Sequence, residues 1–343
     1  MDSVSHPAED NLSLDWIRAD ALEKQEQLLL ITTGEHGIEG YVGAVMLDLF
    51  MNKFLPGLNP RNTGLLVVHP INPWGMKHQR RTNHLNVDLN RNFVQNEEQF
   101  RTLNNPGYQQ LESFLNPRQA LGVYWKEKVG FLFRLLSTWK EQDRDALRGA
   151  TLLGQYQFPR GIYFGGREYQ FETEIMIELF RSVLRQYQQV VHIDIHTGYG
   201  PGDQMTLVNS PFESQSPSLL AERFGYPRVV AADPQEFYSI EGDMIDRFYS
   251  IARDAYPERT YFGTAFEFGT VGEGLLTSIR SLRTMIFENQ IYWHGVRQEK
   301  TAEKVHRDYV NLYFPQQPPW YKKALQDARR AFEGILKACS YIP

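Results

Sequence analysis

The sequence holds one cysteine, Cys339, so no disulfide can form within the chain, and a reducing compartment is compatible with it. Cys339 sits in the last residues with no histidine beside it in sequence, which argues against thiol catalysis. Long apolar runs are also missing: no stretch approaches the roughly 20 residues of a membrane-crossing helix. The opening MDSVSHPAEDNLSLDW is acidic and has neither the basic start nor the apolar core of a secretory signal. A soluble, cytoplasmic protein is expected. There is no long basic run behind the formal net charge of -5, which excludes an evident nucleic-acid partner and leaves a small or peptide substrate as the expected one.

What is present reads as α/β. With 343 residues, 42% of them hydrophobic, the chain can build a large core. Apolar runs that suit strands fall at 27–33, 64–70, 190–196, 205–209, 226–231 and 261–268. Helical patterns fall at 40–54, 171–186, 217–224, 242–255, 274–296 and 320–339. This alternation predicts one domain over 1–343, with a mixed, largely parallel twisted sheet and helices on both faces. Residues 95–170 break the rhythm, being rich in aromatics, glutamine, proline and glycine. The span 95–189 is therefore read as a long insertion or subdomain bordering the site.

The most informative stretch is His36-Gly37-Ile38-Glu39, where the first strong apolar run gives way to glycine and then to a helical pattern. That is the carboxyl end of a strand, where α/β proteins gather their ligands. Imidazole and carboxylate together suit Zn²⁺, and a catalytic zinc site takes three protein ligands. The third candidate is His196, at the end of the run VVHIDIHTG. On a strand His192, Asp194 and His196 share one face. His192 is read as a histidine bonded within the sheet. Asp194 is either a group orienting a ligand or a satisfied polar residue of the sheet.

Between these ends lies NPWGMKHQRRTNHLNVDLNRNF, with Arg80, Arg81 and Arg91 close together beyond the second strand. A guanidinium fork binds a carboxylate by two parallel hydrogen bonds and keeps its charge at any working pH, and Asn90 can add an amide donor. Further on, Glu267 lies in an apolar strand end, AFEFG. A carboxylate there can take a proton from an attacking water, or can form a buried ion pair with Arg280 or Arg283.

The HGxEG, Asn72-Pro73-x-Gly75, DLNRNF, DxHTG and FEFGT elements, in this order, resemble the zinc carboxypeptidases of the carboxypeptidase A family. The likeness is greatest to a poorly characterised bacterial branch sharing forms of HGxEG, DLNRNF, GQY, DxHTG and EFGT. The resemblance implies a zinc-carboxypeptidase-like fold and one Zn²⁺ held by His36, Glu39 and His196. It implies that Asn90 and Arg91 bind the substrate's terminal carboxylate and that Glu267 is general base and then proton donor. Arg81, with Arg80 as the alternative, would polarise the scissile carbonyl. Tyr238 would cap the substrate, and Ile245 would line the specificity pocket and favour apolar terminal residues. The sequence departs from the family in having little chain before the first ligand strand, so the usual edge strand or hairpin is expected to be short.

The reading that follows is a zinc metallocarboxypeptidase that hydrolyses the C-terminal amide of a peptide or small carboxylate-bearing amide. The alternatives are an N-acyl amino-acid deacylase resembling aspartoacylase and succinylglutamate desuccinylase, and a non-catalytic binding module of the same fold.

Overall fold

Four consecutive apolar residues, Leu28, Leu29, Leu30 and Ile31, are fully buried at the centre of the molecule, each stabilising it by about 1.5–3 kcal/mol. They belong to β3 (Gln27–Thr33), which has parallel neighbours on both sides. Such a strand needs apolar side chains on both faces, which is why it reads as a continuous run. The computed structural model describes residues 1–141, 149, 153–232 and 241–343.

The sheet has eight strands in the order β1-β2-β4-β3-β5-β8-β6-β7. Besides β3 these are β1 (Asp2–Ser5), β2 (Ser13–Ala19), β4 (Thr63–Val68), β5 (Gln189–Gly198), β6 (Met205–Asn209), β7 (Val229–Ala231) and β8 (Thr260–Gly269). Pairing is parallel through β4, β3, β5 and β8 and between β6 and β7; it is antiparallel elsewhere. The largely parallel, mixed sheet is the one expected.

Helices α1 (Gly40–Lys53), α2 (Pro73–Lys77), α3 (Gln99–Thr102), α4 (Pro106–Leu115), α5 (Tyr124–Glu141), α6 (Phe171–Leu184), α7 (Pro217–Phe224), α8 (Met244–Ala255), α9 (Leu275–His294), α10 (Glu299–Tyr313) and α11 (Pro318–Ala338) surround it. One core joins α1, α7 and α11 to Leu29, Ile31, Val191, Ile193 and Ile195. The opposite core joins α6 and α8 to Leu28, Leu30 and Val190. A third, away from the sheet, packs α4 and α5 against α9 and α10.

The edge expected to be short is present, with a first strand of four residues. Residues 2–19 form an antiparallel hairpin, β1–β2, that pairs with β4. All four residues of β1 are exposed, so this edge carries no apolar alternation by which it could be read. The short α2 begins at Asn72, whose Oδ1 accepts from the Gly75 N–H at 2.7 Å. Gly37 must be glycine for a related reason, since a Cβ there would lie 2.1 Å from the Gly75 carbonyl carbon. The two turns interlock, and Ile38 N–H donates to the Arg80 carbonyl, tying the first ligand turn to the arginine segment.

Candidate active site

Three strand ends converge. β3 runs out into Glu35 and His36 and a single 3₁₀ turn, Gly37–Glu39. β5 ends with Asp194, His196 and Thr197, and β8 places Glu267 opposite His196 in register. His36, Glu39, His196 and Glu267 are 3%, 1%, 6% and 4% exposed, so four polar groups are almost wholly withdrawn from water.

The orientation of the two histidines is set by aspartates. His36 Nε2 is 3.0 Å from Asp88 Oδ1, and His196 Nε2 is 2.6 Å from Asp194 Oδ2. Both Nδ1 atoms are thereby turned towards Glu39, at 2.8 Å from Oε1 for His36 and 3.3 Å from Oε2 for His196. Thr197 N–H fixes Glu39 Oε2 at 2.9 Å. Ligand atoms of His36, Glu39 and His196 all lie within 4.8 Å of one another. His36 Nδ1 and Glu39 Oε1 are buried and make no hydrogen bond although they approach so closely. Two imidazoles held from behind by carboxylates, with a carboxylate between them, are a donor set that fits Zn²⁺.

Asp194, for which two roles were open, makes the His196 contact and also accepts from Thr32 Oγ1 at 2.6 Å. His192 lies outside the group. Its Nε2 is 2.7 Å from Thr32 Oγ1 and its Nδ1 is 2.9 Å from Tyr261 Oη. Burial pushes its pKa down to about 4, so it is neutral at pH 7.

The two adjacent arginines part company. Arg81 lines the cavity, donating from Nε to Asp88 Oδ2 at 3.0 Å with Nη1 3.6 Å from Glu39 Oε1. Arg80 turns away to pair with Glu288 at 2.8 Å and lies 3.6 Å over the Tyr292 ring. Arg91 lines the same cavity as Arg81, of about 150 Å³, together with His36, Glu39, Tyr163 and Glu267. Its guanidinium also donates to Asp88. Asn90 and Ile245 line a second, smaller cavity with His196 and Asp194. Tyr238 lies outside the described residues.

Burial pushes the Glu267 carboxyl up to about 8, with Glu39 adding to the rise and His196 opposing it. Tyr199 N–H donates to its Oε1 at 3.0 Å. Glu267 makes no ion pair with Arg280 or Arg283 among the described contacts; Arg283 lies 3.8 Å from Asp308. Burial would raise Glu39 too, but His36 and His196 together hold it down at about 2. Against the same burial penalty, Arg81, Arg91 and His36 hold Asp88 well below the usual carboxylate range.

Sequence reasoning gave Asp88 no role, though it bonds His36, Arg81 and Arg91. The signal available was an acidic residue within the arginine-rich DLNRN segment. Tyr163, which lines the cavity, and Glu35, whose Oε2 lies 3.5 Å from His196 Nε2, were missed as well, and neither sits in a pattern that marks it. The 95–189 span reaches this site through Tyr163 and through Gly154, where a Cβ would lie 2.3 Å from Arg91 Cδ. Tyr156 Oη adds a hydrogen bond to the Arg91 carbonyl at 2.8 Å.

Fold and site together define an α/β protein with a buried His/Glu/His group at the carboxyl ends of its central strands. The chain belongs to the family described as a protein of unknown function, DUF2817, whose model matches residues 2–327. None of the curated proteins matches it in sequence. Among solved structures it is similar to the carboxypeptidase A from Helicoverpa armigera, with 12% identity and a TM-score of 0.44, covering 87% of this chain and 65% of that one. It is also similar to a putative metallopeptidase from Shewanella amazonensis, with 13% identity, a TM-score of 0.42, and 86% of this chain and 87% of that one covered. A third is an aspartoacylase family protein from Mesorhizobium loti, with 16% identity, a TM-score of 0.38, and 84% and 63% covered. The chain thus spans less than two thirds of the length of the first and third of these. No helix among the described residues is long and apolar enough to cross a membrane.

Proposed function

We propose that the protein is a zinc-dependent metallocarboxypeptidase, hydrolysing the amide bond next to a free carboxylate in a peptide or small peptide-like substrate. The observation that carries this reading is the pair of histidines whose Nε2 atoms are held by Asp88 and Asp194 while both Nδ1 atoms face Glu39, with Glu267 in register beside His196. A binding module has no need of that last carboxyl.

His36, Glu39 and His196 would hold the metal, which when bound supplies a Lewis acid and lowers the pKa of water towards neutrality. Glu267 would take a proton from the attacking water and return it to the leaving amine. Its carboxyl is buried and in register with His196, which places it for both tasks. Arg81 would direct its guanidinium at the oxyanion of the tetrahedral intermediate. Arg91, with Asn90, would receive the substrate's carboxylate and decide where the cut falls. Tyr238 as the capping residue completes the assignment.

The small cavity favours a second reading, an N-acyl amino-acid deacylase, since about 150 Å³ suits a short substrate. Metal analysis of the purified protein, followed by parallel assays of C-terminal peptide cleavage and acyl-amino-acid hydrolysis, separates the two. Release of free C-terminal residues from peptides supports the first. Activity confined to acyl amino acids moves the assignment to the second, and no hydrolysis of either by zinc-loaded protein removes both.

A further inference from the structure

The smaller cavity beside the metal group has an acidic lining that neither the peptidase chemistry nor Ile245 accounts for. Its volume is about 30 Å³, enough for one or two water-sized groups. Asp243 and Asp246 line it with Asn209, Ser210, Ile245 and His196. The two aspartates make no ion pair among the described residues. Asp243 caps α8, accepting from Asp246 N–H at 2.9 Å, and Asp246 accepts from Ser210 Oγ at 2.5 Å. These bonds leave acceptor capacity on both carboxyl groups, each of which offers about four lone-pair sites when ionised. Asn209 is 3% exposed, and neither its Oδ1 nor its Nδ2 finds a partner among the described residues. An unsatisfied buried amide facing such a cavity is costly unless something arrives to bond it.

The geometry points to this cavity as the seat of a primary ammonium group on the substrate, so that the residue released carries an amine at the end of its side chain. This rests on the proposed hydrolase reading. An ammonium is a compact cation with three donors and no acceptor. Asp243, Asp246 and Asn209 Oδ1 supply three acceptors, and a cavity of about 30 Å³ suits a compact ammonium better than a planar guanidinium with its five donors. Ile245 then packs against the methylenes leading to the amine, and the apolar terminal preference expected from that residue gives way to a basic one.

The test compares lysine with norleucine, which differ by the ammonium. Calorimetry of the two free amino acids binding to zinc-loaded full-length protein reads the cavity without catalysis. Lysine should bind at least about 30-fold tighter, the lower end for a buried charge pair. Asp246→Asn, which keeps the shape and the Ser210 contact, should collapse that ratio to a few-fold. Acylated dipeptides ending in lysine or norleucine should show the same ratio in kcat/KM. Equal binding of lysine and norleucine to the wild-type protein overturns the inference, as does a ratio unchanged by Asp246→Asn in a folded variant. If lysine is preferred in binding while neither dipeptide is hydrolysed, the ammonium seat stands and the hydrolase reading falls. Should Asp246→Asn fail to fold, the wild-type comparison still decides.

Discussion

Two histidines share one face of β5. His192 lies within the sheet, its nitrogens answered by the hydroxyls of Thr32 and Tyr261, and burial holds it neutral. Four residues on, His196 meets Asp194 on one nitrogen and Glu39 on the other. Burial would lower its pKa too, but Asp194 and Glu39 hold it well above the usual imidazole range. Strand, face and residue type are the same. What differs is that the strand interior offers neutral partners and the strand end offers carboxylates, which are the partners that prepare an imidazole for a cation.

The sharpest way to break this comparison is to remove each ring in turn. His196→Ala, His36→Ala and Glu39→Ala should each lose bound zinc, whereas His192→Ala should retain it, as should His69→Ala, whose Nδ1 meets Thr33 Oγ1 and lies outside the group, as read by metal content per folded molecule. Stoichiometric zinc in the His196 variant would end the distinction drawn here. Next in size is the carboxyl opposite His196. Glu267→Gln keeps the shape and should lower turnover by about 10²–10⁴-fold while zinc content stays near wild type. Loss of zinc in that variant would make Glu267 a ligand.

A smaller effect is expected at the mouth of the same end. Arg91→Ala should weaken substrate binding by about 2–5 kcal/mol and should barely distinguish a free from an amidated C-terminus. Wild-type cleavage of amidated peptides at full rate would rule out the anchoring role. The smallest effect concerns the interior ring. His192 has a folded pKa of about 4 against 6.5 unfolded, so between those values the unfolded chain binds more protons. Its contribution is complete above pH 6.5 and is lost as the pH falls towards 4, amounting to roughly 3 kcal/mol. His192→Gln should flatten that part of the pH dependence of Tm, measured with chelator present so that metal loss does not contribute.

The sequence revealed this strand well and its neighbours unevenly. β3 and β6 fall on the expected residues because their apolar runs are bounded sharply by polar ones. β7 is shorter than expected, since the Tyr226 end of that run serves the core under α7 rather than the ladder. Helix α10 was not foreseen, because only one stripe of it, Val305, Tyr309, Leu312 and Tyr313, is apolar and buried amid charged residues. The residues brought together at the strand ends were legible from type and spacing. The roles of Asp88 and Asp243 were not, because each depends on which side chains the fold sets against it.

Asp88 also limits how the site can be dissected. One carboxylate is shared by an imidazole and two guanidinium groups, with His36 on Oδ1 and Arg81 and Arg91 on Oδ2. In a thermodynamic cycle, therefore, the energies of Arg81→Ala and Arg91→Ala should not add, because each guanidinium compensates in part for the loss of the other. Whatever draws Arg91 away from Asp88, a mutation or an arriving carboxylate, is felt at the ring of His36, so ligand affinity and metal affinity should vary together.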